Sequence, residues 1–164
     1  MNTTPTQPTE TPIPDTRPRP TATRDAAHTL ARHAAQLALS KKASDVLILH
    51  VGEISTMTDF FVIATAGSEP QVRAIAHEIE DKIREEYGDK PWHVEGLAAG
   101  TWVLMDYVDF VVHIFQPEAR DFYMLERLWG DARREVAVDV PRPAAAAVAP
   151  VPPVPPTRPA VAAE

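Results

Sequence analysis

The side chains best suited to chemistry in this chain are its histidines: His28, His33, His50, His77, His93 and His113. None of those on predicted strands has a cysteine or carboxylate neighbour at metal-ligand spacing. The chain contains no cysteine, which excludes thiolate metal sites, thiol nucleophiles and disulfides. His113 stands between two apolar residues of a predicted strand, where a hydrogen-bonded, partly buried histidine is expected rather than a ligand or general base. The sequence therefore predicts no metal site and no cofactor.

One arrangement of serine and carboxylates would suit an enzyme. Gly67-Ser68 precedes a predicted helix, and Asp106 and Asp109 lie on a predicted hairpin. A Gly-Ser turn that holds phosphate and two carboxylates that hold metal are features of nucleotidyltransferases. Carboxylates that share a metal from one strand need a spacing of two, and these are three apart. Since no nucleophile-elbow or phosphate-loop motif occurs either, we expect a binding protein and not an enzyme.

Regular apolar periodicity indicates the elements that would position these residues. The pattern predicts helices over 25–41, from Ser68 to Tyr87-Gly88 and from Glu118 onward, and strands over 45–51, 59–66, around 92–94, 101–107 and 109–115. The order α-β-β-α-β-β-β-α predicts an α/β fold in which a mixed β-sheet packs against helices.

Proline marks the limits of this domain. Six prolines precede residue 25, three lie within 25–136 and eight follow. We therefore expect one domain over 25–136 between a disordered Thr/Pro-rich tail (1–24) and a disordered Ala/Pro-rich tail (137–164). With no signal-like start and no long apolar run, the protein is expected to be soluble and cytoplasmic, without membrane contact.

Charge favours a protein partner over nucleic acid. Residues 25–136 carry 11 Lys and Arg against 19 Asp and Glu, which gives 11 − 19 = −8. Such a surface repels phosphate backbones and attracts basic partners at long range. We expect little direct contact with nucleic acid.

The strand over 101–107 carries large apolar groups on both faces. Trp102, Leu104 and Asp106 alternate with Val103, Met105 and Tyr107. Either this is a central strand covered on both sides, or one face exposes aromatic and methionine anchors beside carboxylates, as protein interfaces do. The last helix has a similar excess of apolar residues. Its predicted inner side holds Phe122, Leu125, Leu128, Trp129 and Ala132, which could pack on the sheet or support a homodimer.

Several segments, in one collinear order, resemble the RsfS/Iojap (YbeB) family of ribosomal silencing factors. They are STMTDFFVIATAGS at 55–68, VRAIAHEIE at 72–80, Glu95-Gly96, WVLMDY at 102–107, DFVVHIF at 109–115 and RDFYMLERLW at 120–129. The resemblance spans residues 27–131.

This resemblance implies a nucleotidyltransferase-like fold without transferase activity. It implies binding to the large ribosomal subunit through its ribosomal protein number fourteen, which blocks joining of the small subunit and represses translation under nutrient limitation. It also implies contact with the partner through Trp102, Val103, Met105, Asp106 and Tyr107. Val108 departs from the family, because a glycine commonly forms this turn, and a positive φ is costly for valine.

Two alternatives remain at this point. One is the metal-dependent nucleotidyltransferase that uses Ser68, Asp106 and Asp109. The other is a dimeric adaptor without ribosome binding.

Overall fold

The computed structural model describes residues 21–139, so the predicted tails lie outside the described residues except for 21–24 and 137–139. The helices are α1 (Thr21–Ser40), α2 (Glu69–Tyr87), α3 (Pro117–Tyr123) and α4 (Leu125–Leu128). The strands are β1 (Ser44–His50), β2 (Phe60–Thr65), β3 (His93–Glu95), β4 (Trp102–Asp106), β5 (Phe110–Phe115) and β6 (Arg133–Val136). None of the described helices is long and apolar enough to cross a membrane.

The six strands form one mixed sheet in the order β3-β4-β5-β2-β1-β6. β2 and β5 pair in parallel at its centre, from Phe60 opposite Phe110 to Thr65 opposite Phe115. The other neighbouring strands pair antiparallel. The predicted mixed α/β sheet is therefore confirmed, while the likeness to nucleotidyltransferases stays a prediction.

Helix α2 has the ends that its sequence predicts. The Ser68 side chain accepts a hydrogen bond from the Gln71 backbone N–H (3.3 Å), which satisfies a free donor of the first turn. Gly88 ends the helix at φ 68°, a left-handed conformation that suits glycine. The predicted apolar stripe of this helix is buried: Val72, Ile75, Ala76, Ile79 and Ile83. Together with α1 it covers one face of the sheet.

Helix α1 begins at Thr21, four residues before the predicted start. The Arg24 guanidinium donates to the Gly52 carbonyl (2.9 Å) and to the Asp59 carboxylate (3.4 Å). These contacts tie the first turns of α1 to the connection between β1 and β2. Helix periodicity alone did not predict them, because they depend on a residue 35 positions away.

The sequence predicts one long C-terminal helix, and this prediction is wrong. The segment breaks at Met124, which has φ 49°, into the short helices α3 and α4. Leu125 and Trp129 pack on the second face of the sheet, but Phe122 and Leu128 are 80% and 76% exposed. Leu125 and Trp129 thus pack on the sheet, whereas Phe122 and Leu128 are exposed to solvent. The edge strand β6 follows, and its polar sequence Arg-Arg-Glu-Val carried no strand signal.

Candidate partner-binding site

The two faces of β4 differ in exposure. Val103, Met105 and Tyr107 are buried under α1 and α2, at 0%, 0% and 5% exposure. Trp102 and Asp106 lie on the opposite face and are partly exposed. The structure thus brings only these two of the five predicted partner-binding side chains to the open face, because strand residues alternate between faces. The other three belong to the core beneath them.

Trp102 is held in a fixed orientation by three neighbours. Its indole N–H donates to His113 Nδ1 (3.2 Å). Its ring stacks on Phe115, with centroids 5.0 Å apart, and meets Tyr123 of α3 at 4.5 Å. An aromatic side chain that is already ordered loses little conformational entropy when it binds a partner. Trp102 therefore has the properties of an interface anchor.

His113 supports Trp102 from the neighbouring strand. It lies directly across from Leu104 in the β4–β5 pairing and is buried at 4% exposure. Burial lowers the pKa of this imidazole to about 4, so it is neutral near pH 7. Because Nδ1 accepts the indole hydrogen bond, the proton of the neutral ring lies on Nε2. The predicted burial and hydrogen bonding of His113 are confirmed.

Asp106 shapes the turn after β4. Its Oδ1 accepts a hydrogen bond from the Val108 backbone N–H (2.7 Å). Val108 has φ 72°, and the Asp109 N–H donates to the Tyr107 carbonyl (2.9 Å) across it. This is a γ-turn geometry, which is strained for a β-branched residue. The positive φ that is costly for a valine in this turn is therefore present.

Exposed aromatic groups extend the surface beyond β4. Tyr123, which contacts Trp102, is 50% exposed, and its ring meets that of Phe122 at 5.1 Å. We call these three contacting rings, Trp102, Tyr123 and Phe122, the Trp102 patch. Phe122 and Tyr123 sit in the last turn of α3, beside the exposed Met124. Contiguous exposed aromatics of this kind mark interaction surfaces.

Arg120 anchors the part of the patch that α3 supplies. Its guanidinium donates to the Asp45 carbonyl (2.7 Å), to the Thr65 hydroxyl (2.6 Å) and, through two nitrogens, to Glu126 (2.9 and 2.6 Å). The Arg120 side chain is only 11% exposed. It thereby joins α3 to α4, β1 and β2. The sequence did not indicate this role, because an arginine within a predicted helix gives no signal of its distant partners.

The residues of the nucleotidyltransferase alternative lie at opposite ends of the sheet. Ser68 follows β2 and lies near the Phe115 end of β5, where the Ala66 N–H donates to the Phe115 carbonyl (2.8 Å). Asp106 pairs with Val111 at the other end of the hairpin. Four residues of strand separate these ends by roughly 13 Å. The structure therefore does not bring Ser68 together with Asp106 and Asp109.

The whole domain matches one protein family. The sequence model of the family described as "Ribosomal silencing factor during starvation" (RsfS) matches residues 24–156. This match confirms the resemblance that the collinear segments indicated.

Individual relatives agree with the family match. Ribosomal silencing factor RsfS of Halalkalibacterium halodurans is 47% identical over 92 residues, covering 56% of this chain and 78% of the relative. A crystal structure of a Chromobacterium violaceum protein superposes with a TM-score of 0.59 at 32% identity, covering 70% of this chain and 92% of that one. Mitochondrial assembly of ribosomal large subunit protein 1 of Mus musculus is 30% identical over 91 residues, covering 54% of this chain and 40% of the relative.

Proposed function

This chain belongs to the family of ribosomal silencing factors during starvation, and from that premise we propose that it binds the large ribosomal subunit and keeps the small subunit from joining. In this proposal the direct partner is ribosomal protein number fourteen of the large subunit, and the outcome is repression of translation under nutrient limitation. The name of the Mus musculus relative, which refers to the ribosomal large subunit, supports the choice of subunit.

The observation that carries the proposal is the Trp102 patch. Its central indole is held by His113, Phe115 and Tyr123, while Phe122 and Tyr123 remain exposed around it. Tryptophan and tyrosine are enriched among the residues that dominate interface energies. The acidic surface of residues 25–136 would speed association with a basic ribosomal protein.

Within this site the five residues indicated by the family resemblance take two different roles. Trp102 and Asp106 would meet the partner, since they lie on the open face. Val103, Met105 and Tyr107 would act from beneath, by packing β4 onto the core. Phe122 and Tyr123 add contacts from α3. Silencing of this kind is steric and requires neither catalysis nor a cofactor.

A direct test is sedimentation with purified ribosomal subunits. The full chain should travel with large subunits through a sucrose gradient and lower the fraction of joined ribosomes after small subunits are added. Trp102→Ala should weaken binding by about 2 kcal/mol or more, which is roughly 30-fold in Kd. Calorimetry against isolated ribosomal protein number fourteen should show the same loss.

The chain offers a matched control for this substitution. Tyr87 is 47% exposed at the end of α2, which covers the opposite face of the sheet, and its ring meets that of His33 at 5.3 Å. Tyr87→Ala should leave subunit binding unchanged, and circular dichroism should show both variants folded. Wild-type protein that stays at the top of the gradient would refute ribosome binding, and equal loss from both variants would refute the assigned site.

The enzyme and adaptor alternatives make different predictions. A nucleotidyltransferase would bind nucleotide in the presence of Mg²⁺, and we expect calorimetry to detect no such binding. A dimeric adaptor would self-associate and ignore ribosomal subunits. Self-association and a cytoplasmic location stay predictions.

A further inference from the structure

A cluster of two histidines and a glutamate lies on the face of the sheet that α1 and α2 cover, away from the Trp102 patch. His28 belongs to α1, His50 to the end of β1 and Glu135 to β6. Glu135 Oε2 is 2.8 Å from His28 Nε2 and 3.2 Å from His50 Nε2, and these three ligand atoms all lie within 4.8 Å of one another. From this geometry we infer that His28, His50 and Glu135 form a binding site for a divalent transition-metal ion, of which Zn²⁺ fits best.

Two of the three distances between the ligand atoms, those from Glu135 to each histidine, are close to the spacing in a metal site. Zinc binds imidazole nitrogen and carboxylate oxygen at about 2.0–2.2 Å, so neighbouring ligand atoms of a tetrahedral site lie roughly 3.3 Å apart. The observed 2.8 and 3.2 Å are close to this spacing. Two imidazoles and one carboxylate suit zinc and its neighbours in the first transition row, whereas Mg²⁺ and Ca²⁺ prefer oxygen ligands.

The two imidazole rings of the site are also held in place. Phe60 stacks on the His28 ring at 4.9 Å and meets the His50 ring at 5.1 Å, which fixes both imidazoles. Zinc binds neutral imidazole nitrogen and ionised carboxylate oxygen, which are the kinds of group that these three side chains supply.

The surroundings favour one carboxylate oxygen for the metal. Arg32 Nε donates to Glu135 Oε1 (2.6 Å), the oxygen that does not face the histidines. Such an outer contact orients a carboxylate ligand without occupying its metal-binding oxygen. A cleft of about 90 Å³ adjoins the cluster, and its charged lining consists of Glu53 and Asp59 together with Arg24 and Arg133. This volume has room for a water molecule as fourth ligand.

Arg133 opposes the metal and supplies a specific test. Its NH2 group lies 2.8 Å from His50 Nδ1 and donates a hydrogen bond to it. A histidine that binds metal through Nε2 carries its proton on Nδ1 and needs an acceptor there. Arg133 must therefore move when metal binds. Its side chain is 65% exposed, which leaves room for this movement, and its guanidinium lies 4.0 Å from Glu53 Oε1, a second acceptor. Arg133→Gln offers an acceptor and removes a positive charge.

The experiment is calorimetric titration of the tag-free full chain with ZnCl₂, alongside thermal denaturation with and without the ion. We expect one ion per chain and a raised Tm, because an ion that binds only the folded state stabilises it. His28→Gln should weaken Zn²⁺ binding at least about tenfold, since even outer-shell changes commonly cost 10–100-fold. Arg133→Gln should tighten binding. MgCl₂ should give no heat of binding.

Two control variants distinguish this site from nonspecific zinc binding by exposed histidines. His77 is exposed on α2, and His93 pairs with Glu95 (2.8 Å) on exposed β3. Zinc affinity should survive His77→Gln and His93→Gln. Absence of zinc binding, equal binding by His28→Gln, or loss of binding in His93→Gln would each overturn the proposal. Ribosomal subunit binding does not enter any of these readouts, so the proposed silencing function stands or fails separately.

Discussion

The two faces of the sheet are built differently. The face under α1 and α2 is apolar apart from the cluster of His28, His50 and Glu135, and its strand side chains, such as Met105 and Val112, are fully buried. The other face is covered only in part, by two short helices that Arg120 ties down, and it leaves Phe122 exposed. The residues that stabilise the fold thus lie mainly on one face, and the residues proposed to bind the partner lie on the other. The closed face supplies most of the apolar burial, and the open face presents rings that are ordered but still accessible.

The largest expected effect is on stability, and it comes from a substitution on the buried face of β4 compared with one on its partly exposed face. Met105→Ala removes a fully buried side chain and should lower the free energy of unfolding by about 2–5 kcal/mol. Leu104→Ala, on the partly exposed face of the same strand, should cost less. Urea denaturation measures both. Subunit affinity of folded Met105→Ala should stay near the wild-type value, and a loss comparable to that of Trp102→Ala would contradict the division between faces.

The pH dependence of stability should reveal the buried His113 on the open face. Unfolded His113 takes up a proton below its usual pKa of 6.5, whereas the folded imidazole does so only below about 4. Its stabilising effect is therefore complete above pH 6.5 and is lost as the pH falls from 6.5 to 4, by roughly 3 kcal/mol in all. Denaturation of wild type and His113→Gln across pH 4–7 isolates this residue, because other titrating groups affect both proteins. Parallel pH profiles would count against the burial of His113.

Arg120 attaches α3 to the open face of the sheet, and this attachment can be tested by substitution. Arg120→Met removes charged hydrogen bonds to Asp45, Thr65 and Glu126 and should cost about 2–3 kcal/mol of stability. Subunit binding should weaken as well, because α3 carries Phe122 and Tyr123. Denaturation and co-sedimentation together measure the two effects. Arg127→Met, at an exposed position of α4, is the matched control and should change neither quantity. Full binding by a folded Arg120→Met variant would show that α3 is not needed at the interface.

The smallest effect concerns the turn that joins the two strands most involved in the site. Val108 has φ 72°, a conformation that costs an L-residue about 1–2 kcal/mol and glycine much less. Val108→Gly should therefore raise the free energy of unfolding by about 1 kcal/mol, after the greater entropy of glycine in the unfolded chain is deducted. The urea midpoint measures this gain. Val108→Ala serves as the comparison, and a destabilised glycine variant would argue against the positive φ.

The sequence predicted best the elements in which a strong apolar period coincides with a recognisable end. Helix α2 is the clearest case, since Ser68, Pro70 and Gly88 mark its ends and its buried stripe is regular. The last helix was predicted wrongly because Phe122, Leu125, Leu128 and Trp129 fit a single stripe on paper. Only the left-handed Met124 splits them between core and solvent. Strand β6 gave no signal, because edge strands are short and polar.

The candidate site was predictable only in part for a similar reason. Alternation along β4 identified two sets of side chains, but which set is buried depends on where α1 and α2 pack. The resemblance to the family pointed to Trp102, whereas its support by His113 and Arg120 follows from tertiary contacts. The histidine and glutamate cluster joins positions 28, 50 and 135, so no local spacing could have revealed it.

The parallel pairing of β2 with β5 also bears on how the protein is made. These two strands form the middle of the sheet, yet Thr65 and Phe110 are separated by an entire helix and two further strands. Contacts between such distant segments make folding slow, because a long loop must close before they stabilise anything. During synthesis the centre of the sheet cannot close until β5 has left the ribosome, when most of the domain has already been translated. A protein proposed to restrain ribosomes thus completes its own fold late in its translation.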